Sequence, residues 1–231
     1  MEIKNLNENK TDKLVKTINA TFGEIPIIGG ALVELLSSVI PNQRIDRMVE
    51  FIKILNEKLT SQEQELLKSQ ILDENFNGLL QDVIDSTIKT IGKERKNHFA
   101  KIVQSGLTSN KQELIELRLI TRILKEINDI EMIILKYHSI RTSNESSIFL
   151  QKNRNILESE RLFVGASKEQ EKQHFMYKGY LYHLVSLGLL DVNYEVKEES
   201  NRISDKSEFK INSKNHKITE FGKMIVEMLN E

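Results

Sequence analysis

The sequence predicts a mainly α protein, in which an N-terminal multi-helix antiparallel bundle is followed by a C-terminal winged-helix-like unit with one small β-hairpin. Apolar residues recur at helical spacing along most of the chain, and the only two prolines, Pro26 and Pro41, lie near its start. One stretch near the end, 189–196, alternates between apolar and polar residues as a strand does. We place the bundle at 1–128 and the winged-helix-like unit at 129–231.

The bundle is predicted from amphipathic stripes that short turns connect. Thr60 and Glu63 have the spacing of a capping box, and Ser109 with Gln112 is expected to cap the last helix of the bundle. The helix before that one is expected to end near Gly106. The stripes consist of Ile45, Met48, Val49, Ile52, Leu55 and Leu59; Leu66, Leu67 and Ile71; Leu79, Leu80, Val83, Ile84, Ile88 and Ile91; Phe99, Ile102 and Val103; and Leu114, Leu117, Ile120, Leu124 and Ile127.

The pattern of elements changes after Asn128. Asp129 is expected to cap a short helix, a polar loop is expected at 141–147, and a further helix at about 148–162. These are the first two helices of the winged-helix order, which runs helix, helix, helix, hairpin.

The rest of that order follows from stop and start signals. Ser167 and Gln170 are expected to cap a helix that runs to Leu187, where Gly188 supplies a left-handed stop. A hairpin with a charged tip at 197–207 comes next. Thr219 is then expected to cap a closing amphipathic helix.

Composition restricts the function classes. With 33 basic and 34 acidic residues the net charge is -1, and neither half is basic. Nucleic-acid binders usually carry a basic face, because phosphate neutralisation supplies most of their affinity. The chain has no cysteine, which excludes disulfides and thiolate catalysis. Since neither a signal peptide nor a membrane-spanning stretch is predicted, we expect a cytoplasmic protein, with peripheral membrane contact on activation as an open alternative.

No enzyme active site is predicted. The sequence has no glycine-rich phosphate loop, no His-Glu-x-x-His pair and no nucleophile elbow. Glu171 and His174 have the Glu-x-x-His spacing of di-iron bundles, but that architecture needs a second such pair and two further glutamates. We therefore expect a non-enzymatic protein with no cofactor, no metal and no small-molecule substrate.

The helix that starts at Lys168 occupies the position of a recognition helix. The residues expected to contact a nucleic acid or a protein partner are Lys168, Lys172 and Lys178 on this helix and Arg202 and Lys206 in the wing. The first turn of the helix also carries acids, which phosphates repel. The sequence thus favours a structural or protein-binding winged helix over one that reads DNA, and the helix's tyrosines are interpreted as packing residues.

The N-terminal apolar segment is predicted to form a helix over 27–40. Its aliphatic face consists of Ile27, Ile28, Leu32, Leu35, Leu36, Val39 and Ile40, together with Ala31. One interpretation is a buried central helix of the bundle. The other is a segment that is released into a membrane or an oligomer, which would need a strong trigger because burial of eight aliphatic side chains is worth on the order of 10 kcal/mol.

The segment "GEIPIIGGALVELLSSVIPNQRIDR" and the tail "SLGLL…ITEFGKMIVEML" together resemble a group of uncharacterised bacterial proteins. That resemblance implies a helical bundle followed by a winged-helix end, and it carries no activity. The N-terminal half is also similar, in pattern, to helical bundles of the HeLo and MLKL type, which implies a role in regulated cell death through membranes.

Two functional hypotheses follow. The first is a non-enzymatic helical effector or adaptor, in bacterial defence or regulated cell death, that acts through a protein partner, self-association or membrane engagement of the 27–40 helix. The second is a winged-helix DNA-binding regulator with a dimerising bundle.

Overall fold

The computed structural model describes residues 45–158, 165–200 and 207–230. The chain divides into two compact units at Lys125 and Glu126, and each is described by itself. The prediction for the 27–40 helix falls outside the described residues, as do Arg202 and Lys206 of the wing. Among the helices that the structure describes, none is both long and apolar enough to span a bilayer.

The N-terminal unit is helical throughout its described part. Its helices are α1 (Ile45–Lys58), α2 (Ser61–Gln70), α3 (Glu74–Thr87), α4 (Lys93–Gly106) and α5 (Lys111–Glu126). Short turns connect them, and α1, α3 and α4 all pack against one another. The predicted stripes supply most of the core, but the prediction for Ile91 is wrong, since it is 78% exposed beyond the end of α3, and Phe76 is buried although it belongs to no predicted stripe. The most deeply buried side chains include Met48, Phe76, Leu79, Val83, Phe99 and Ile102.

One charged pair crosses this core. Lys96 of α4 is only 1% exposed, and its Nζ donates a hydrogen bond to Oε2 of Glu50 on α1. The Glu50 side chain is about half exposed, so the pair runs from the interior to the surface. Breaking such a pair leaves a buried ammonium without its partner, which is far more costly than the pair's own net contribution.

The C-terminal unit is built around one central helix, α6 (Asp129–Ser139). Around it lie α7 (Ser143–Lys152), α8 (Arg154–Leu157), α9 (Lys168–Ser186), β1 (Leu190–Ser200), β2 (Ser207–Ile218) and α10 (Glu220–Asn230). Helix α6 packs against α7, α9, β2 and α10. The mainly α class is confirmed, as are the helical bundle and the C-terminal hairpin before a final helix.

The hairpin is a two-stranded antiparallel sheet. Its register pairs Leu190 with Ile218 at the base and Ser200 with Ser207 at the outer end, with a β-bulge after Asn193. The strands extend beyond the predicted ones, so the predicted tip at 197–207 is wrong at both ends and only 201–206 lies between the strands. The alternating pattern underestimates these strands because polar residues fill them near the tip.

Several of the predicted helix caps are confirmed. Thr60 and Glu63 form a capping box, and so do Ser167 and Gln170. The hydroxyl of Thr219 accepts a hydrogen bond from Gly222 N at 2.9 Å, as expected for the cap of α10. Gly188 has a φ of 70°, which is the left-handed stop that the sequence predicts after α9.

Two predicted caps are wrong by one residue. Helix α5 is capped by Asn110, whose Oδ1 accepts from Glu113 N at 3.2 Å, because the Ser109 hydroxyl instead donates to Ser105 O in the preceding turn. Helix α6 is capped by Asn128, not Asp129, and Glu131 completes the capping box. In both cases an asparagine beside the predicted residue takes the cap, since its amide oxygen serves equally well.

The predicted loop at 141–147 and the helix at 148–162 are also corrected. Thr142 caps a helix that begins at Ser143, and its hydroxyl accepts from Glu145 N at 3.3 Å. This helix ends at Lys152, and a short helix follows from Arg154 to Leu157. Three of its first five residues are serine, a composition typical of a loop, yet the Thr142 cap and Glu145 in the first turn stabilise the start of a helix.

Candidate interaction surface

Helix α9 holds the position where the sequence predicts contacts with a partner. Its N-terminus is fixed by the Ser167–Gln170 capping box. Its inner side buries His174, Tyr177, Leu181 and Leu184 against the rest of the unit. These four residues recur at intervals of three and four, so they set which side of the helix faces solvent.

A second anchor lies near the C-terminal end of α9. Oε1 of Glu131 on α6 lies 2.7 Å from His183 Nδ1, and Glu131 is only 2% exposed. The other carboxylate oxygen of Glu131 accepts from Asn128 N at 2.7 Å in the capping box of α6. A single buried carboxylate therefore both caps α6 and contacts α9 near its C-terminal end.

The solvent side of α9 carries large apolar side chains. Phe175 is 64% exposed, Met176 51% and Tyr182 59%. Phe175 and Tyr182 lie seven residues apart, which is two helical turns, and Gly179 lies between them. The residues that share this side are called the α9 face from here on: Lys168, Lys172, Phe175, Gly179, Tyr182 and Ser186, all of them exposed.

The predicted contact residues on α9 fall into two groups. Lys168 and Lys172 lie on the α9 face itself, ahead of Phe175, and both are exposed. Lys178 is also exposed, but at the edge of that face. The structure therefore brings two of the three predicted lysines together with the aromatic residues.

The sequence did not reveal the aromatic residues of this surface. Interpreting the tyrosines as packing residues holds for Tyr177, which is 2% exposed, and is wrong for Tyr182. Nor does the sequence pattern by itself mark Phe175 as exposed. Helical spacing from the buried pair Leu181 and Leu184 places both Phe175 and Tyr182 on the opposite side of the helix. That spacing is the sequence signal that predicts their exposure once the burial of the pair is known.

A pocket of about 340 Å³ borders the α9 face. It opens between α6, α8 and α9, and its wall combines Ile130, Ile156 and Met176 with the aromatic rings of Tyr177 and Tyr180. Lys172 and Glu169 lie at the same pocket. The pocket thus extends the apolar surface from Met176 inward and adds charged groups at its edge.

The spacing of Glu171 and His174 does not place the two side chains in one environment. His174 is buried, while Glu171 is exposed at the first turn of α9. Within the part of the chain that the structure describes, no three His, Cys, Asp or Glu side chains come together as a metal site would require.

A pair of histidines lies on the other side of α6, where it meets β2. The Nε2 atoms of His138 and His216 are both shielded from solvent. Burial, and to a smaller extent the proximity of His216, together lower the pKa of His138 from its ordinary value of 6.5 to about 4. His138 is therefore neutral at pH 7, and this contact between α6 and β2 depends on its staying neutral.

Comparison with known proteins adds no family to this description. No protein-family model, no curated protein and no solved structure matches the chain. The resemblances to uncharacterised bacterial proteins and to HeLo and MLKL-type bundles stay predictions. The functional argument consequently rests on the α9 face.

Proposed function

We propose that this protein is a non-enzymatic helical adaptor or effector, and that the α9 face is one of the surfaces through which it binds protein. The observation that supports this is the exposure of Phe175 and Tyr182 on the α9 face, with Met176 exposed beside it on the same helix. Phenylalanine, tyrosine and methionine are enriched where proteins contact one another. Neighbouring exposed apolar residues of this size mark a contact surface more often than single ones do.

The same face is poorly suited to reading bases. A helix that enters the major groove presents Arg, Lys, Asn or Gln to the base edges, whereas the middle of the α9 face presents Phe175, Gly179 and Tyr182. Glu169 and Glu171 in its first turn are exposed and would approach the phosphates. Protein contact therefore agrees better with the chemistry of this helix than DNA contact does.

Co-purification tests this proposal. The intact protein, a Phe175→Ser/Tyr182→Ser double variant and an Ile148→Ser control would each be isolated from cells that express the protein natively. Ile148 is 60% exposed in the same unit but lies on α7, so it removes a similar apolar group from a different surface. We expect the double variant alone to lose a bound protein. If all three carry the same proteins, the α9 face is not a contact surface.

The apolar segment 27–40 enters the proposal as a second route of action, through self-association or membrane engagement. Its support comes from the sequence alone, in the face formed by Ile27, Ile28, Leu32, Leu35, Leu36, Val39 and Ile40. Liposome leakage and cell toxicity would be compared between the intact protein and Leu32→Asp and Leu36→Asp variants, with circular dichroism to confirm that the variants fold. Equal leakage and toxicity with and without the substitutions would remove this part of the proposal.

A winged-helix DNA-binding regulator is the second candidate function. Lys168 and Lys172 favour it, because both are exposed on one side of α9 near its N-terminus. Gel shifts with the DNA upstream of the protein's own gene, at two salt concentrations, would test it. Phosphate contacts must weaken steeply as salt rises, and the absence of any shift at low salt would exclude DNA binding of this kind.

A further inference from the structure

Gly179 is the residue of the α9 face that this chain's own fold does not explain. It lies inside a helix of 19 residues, where glycine is the least favourable residue after proline. A Cβ built on Gly179 would have no atom within 4 Å, so nothing in the described structure needs the space. Its backbone is not in the left-handed region either. Glycine here forms a notch in the solvent surface, between Phe175 and Tyr182.

The notch and its flanks are self-complementary. Gly179 lies two residues from the centre of α9, with Phe175 one turn before it and Tyr182 one turn after it. If two such helices cross antiparallel at their glycines, position 175 of one lies opposite positions 182 and 183 of the other. Each phenylalanine then meets the other copy's tyrosine, an aromatic pair that is worth more than its buried area alone.

We infer that the α9 face binds the same face of a second copy of this chain, with the two α9 helices antiparallel about a two-fold axis at Gly179. This inference deepens the proposed function and rests on it, since it names the occupant of the α9 face. A glycine at the crossing point lets two helix backbones approach more closely than side chains would allow. A contact of this kind is isologous, as in most homodimers.

Charge also favours the antiparallel arrangement. The charged residues within the α9 face are Lys168 and Lys172, both in its N-terminal half, and the exposed Glu169 and Glu171 flank them in the first turn. The other end of the helix is the negative end of its dipole, although His183 O, Leu184 O and Val185 O already accept hydrogen bonds within the chain, and the exposed Asp191 lies five residues beyond Ser186. The antiparallel pair places the lysines of one copy at the negative end of the other copy's helix dipole. A parallel pair would place lysine beside lysine.

The area available sets the expected strength. A single helix–helix contact buries less than the roughly 800 Å² per partner of a standard stable interface. We therefore expect a dissociation constant on the order of 10 to 100 µM rather than a permanent dimer. Association should be visible in concentrated solution and lost on dilution.

Sedimentation equilibrium of the full chain over that concentration range tests the inference. The key variant is Gly179→Leu, which fills the notch. Because leucine has a much higher helix propensity than glycine, we expect the thermal midpoint of the variant to stay the same or rise by a few degrees. Its self-association should nevertheless weaken about tenfold or more. Opposite changes in folding and in association cannot come from a variant that merely unfolds.

Phe175→Ser and Tyr182→Ser should weaken association as well, and Ile148→Ser on α7 should not. A wild-type protein that stays monomeric throughout this range overturns the inference. So does a dimer that survives Gly179→Leu, and in particular one that Leu36→Asp abolishes, because it would form through the 27–40 segment.

Loss of a DNA gel shift in the α9 variants, with no self-association of the wild type, overturns the inference in favour of DNA. The proposed function fails separately, when co-purification shows that no protein, a differently tagged second copy of the chain included, depends on Phe175 and Tyr182.

Discussion

Two helices of the C-terminal unit each contain a glycine, and the reasons for the two glycines differ. Gly222 lies in α10, where an added Cβ would be 2.4 Å from the carbonyl oxygen of Leu189 and 2.9 Å from the Ile218 side chain. Gly179 lies in α9, where an added Cβ would have no atom of the described residues within 4 Å. The first glycine is required by the packing of this chain. The second has no such requirement, which is why we look outside the chain for its explanation.

The comparison extends to the surroundings of each glycine. Around Gly222 the chain is closely tied: Thr219 N donates to Leu189 O at 3.1 Å, and the Thr219 hydroxyl donates to Gly188 O at 2.8 Å. Around Gly179 large apolar side chains are left in solvent. The contacts described within the unit thus explain the residues of its interior, and they do not explain the residues of the α9 face. Four predictions test this contrast, from the largest expected effect to the smallest.

Gly222→Ala should reduce the free energy of unfolding more than the other changes do. The obstacle to the new methyl group is backbone, the carbonyl of Leu189, so the strain cannot be relieved by a change of rotamer. We expect a loss of about 3 kcal/mol in the free energy of unfolding. Chemical denaturation monitored by circular dichroism measures it. A loss below about 0.5 kcal/mol would mean that α10 does not cross Leu189 this closely.

Acid should weaken the contact between α6 and β2. Because the pKa of His138 is about 4 in the folded chain and near 6.5 when unfolded, the unfolded state binds the proton more tightly. The stability that this histidine contributes is complete above pH 6.5 and is lost as the pH falls towards 4. We expect a loss of about 2 kcal/mol between pH 7 and pH 4.5.

The control for the acid prediction is His138→Leu. The quantity compared is the slope of the free energy of unfolding against pH, not its absolute value. Denaturation at several pH values between 7 and 4.5 should show a shallower slope in the variant than in the wild type. Equal slopes would show that His138 is not held neutral by its surroundings.

Gly179→Ala should stabilise the fold. The position is helical and open, so alanine gains the helix propensity that glycine lacks, about 1 kcal/mol. The matched pair with Gly222→Ala makes the same chemical change in two helices of one unit, with opposite expected signs. If both substitutions destabilise the protein, the α9 face packs against something in the monomer and the contrast is lost.

Phe175→Ser should change the free energy of unfolding least, by less than about 0.5 kcal/mol, since the side chain is mostly in solvent. The measurement is chemical denaturation in dilute solution, where the chain is monomeric. A cost of several kcal/mol would identify Phe175 as a core residue, and the α9 face would have to be given up as a contact surface.

The sequence predicts the interior of this protein better than its surface. Apolar stripes and caps such as Thr219 identify the helices, because burial and capping act through residues close in the chain. The caps at Asn110 and Asn128 were missed by one residue, since two adjacent polar residues can each accept the same hydrogen bonds and only the packed chain selects one. The sequence underestimates the length of the hairpin strands, because the residues near the tip are mostly polar and no alternation of apolar and polar residues marks a buried side.

The candidate site was predicted only in part. Lys168, Lys172 and Lys178 are exposed, as lysines usually are, and their contact with a partner stays a prediction. The exposure of Tyr182 was not predicted, because aromatic residues at near-helical spacing usually form a core. Whether such a residue is buried depends on which side of α9 faces α6 and β1, and that is decided by contacts between distant parts of the chain.

Disulfide cross-linking at Gly179 tests the central claim, that the α9 face meets its own copy, most directly. The chain has no cysteine, so a single Gly179→Cys substitution gives a unique thiol, and Ile148→Cys gives an exposed control. A disulfide forms only when two Cα atoms come within about 7 Å, as residues on the two-fold axis do. Under mild oxidation we predict a linked dimer at Gly179→Cys, formed about tenfold or more faster than at Ile148→Cys. Equal rates at the two positions, or no dimer at Gly179→Cys, would contradict the claim.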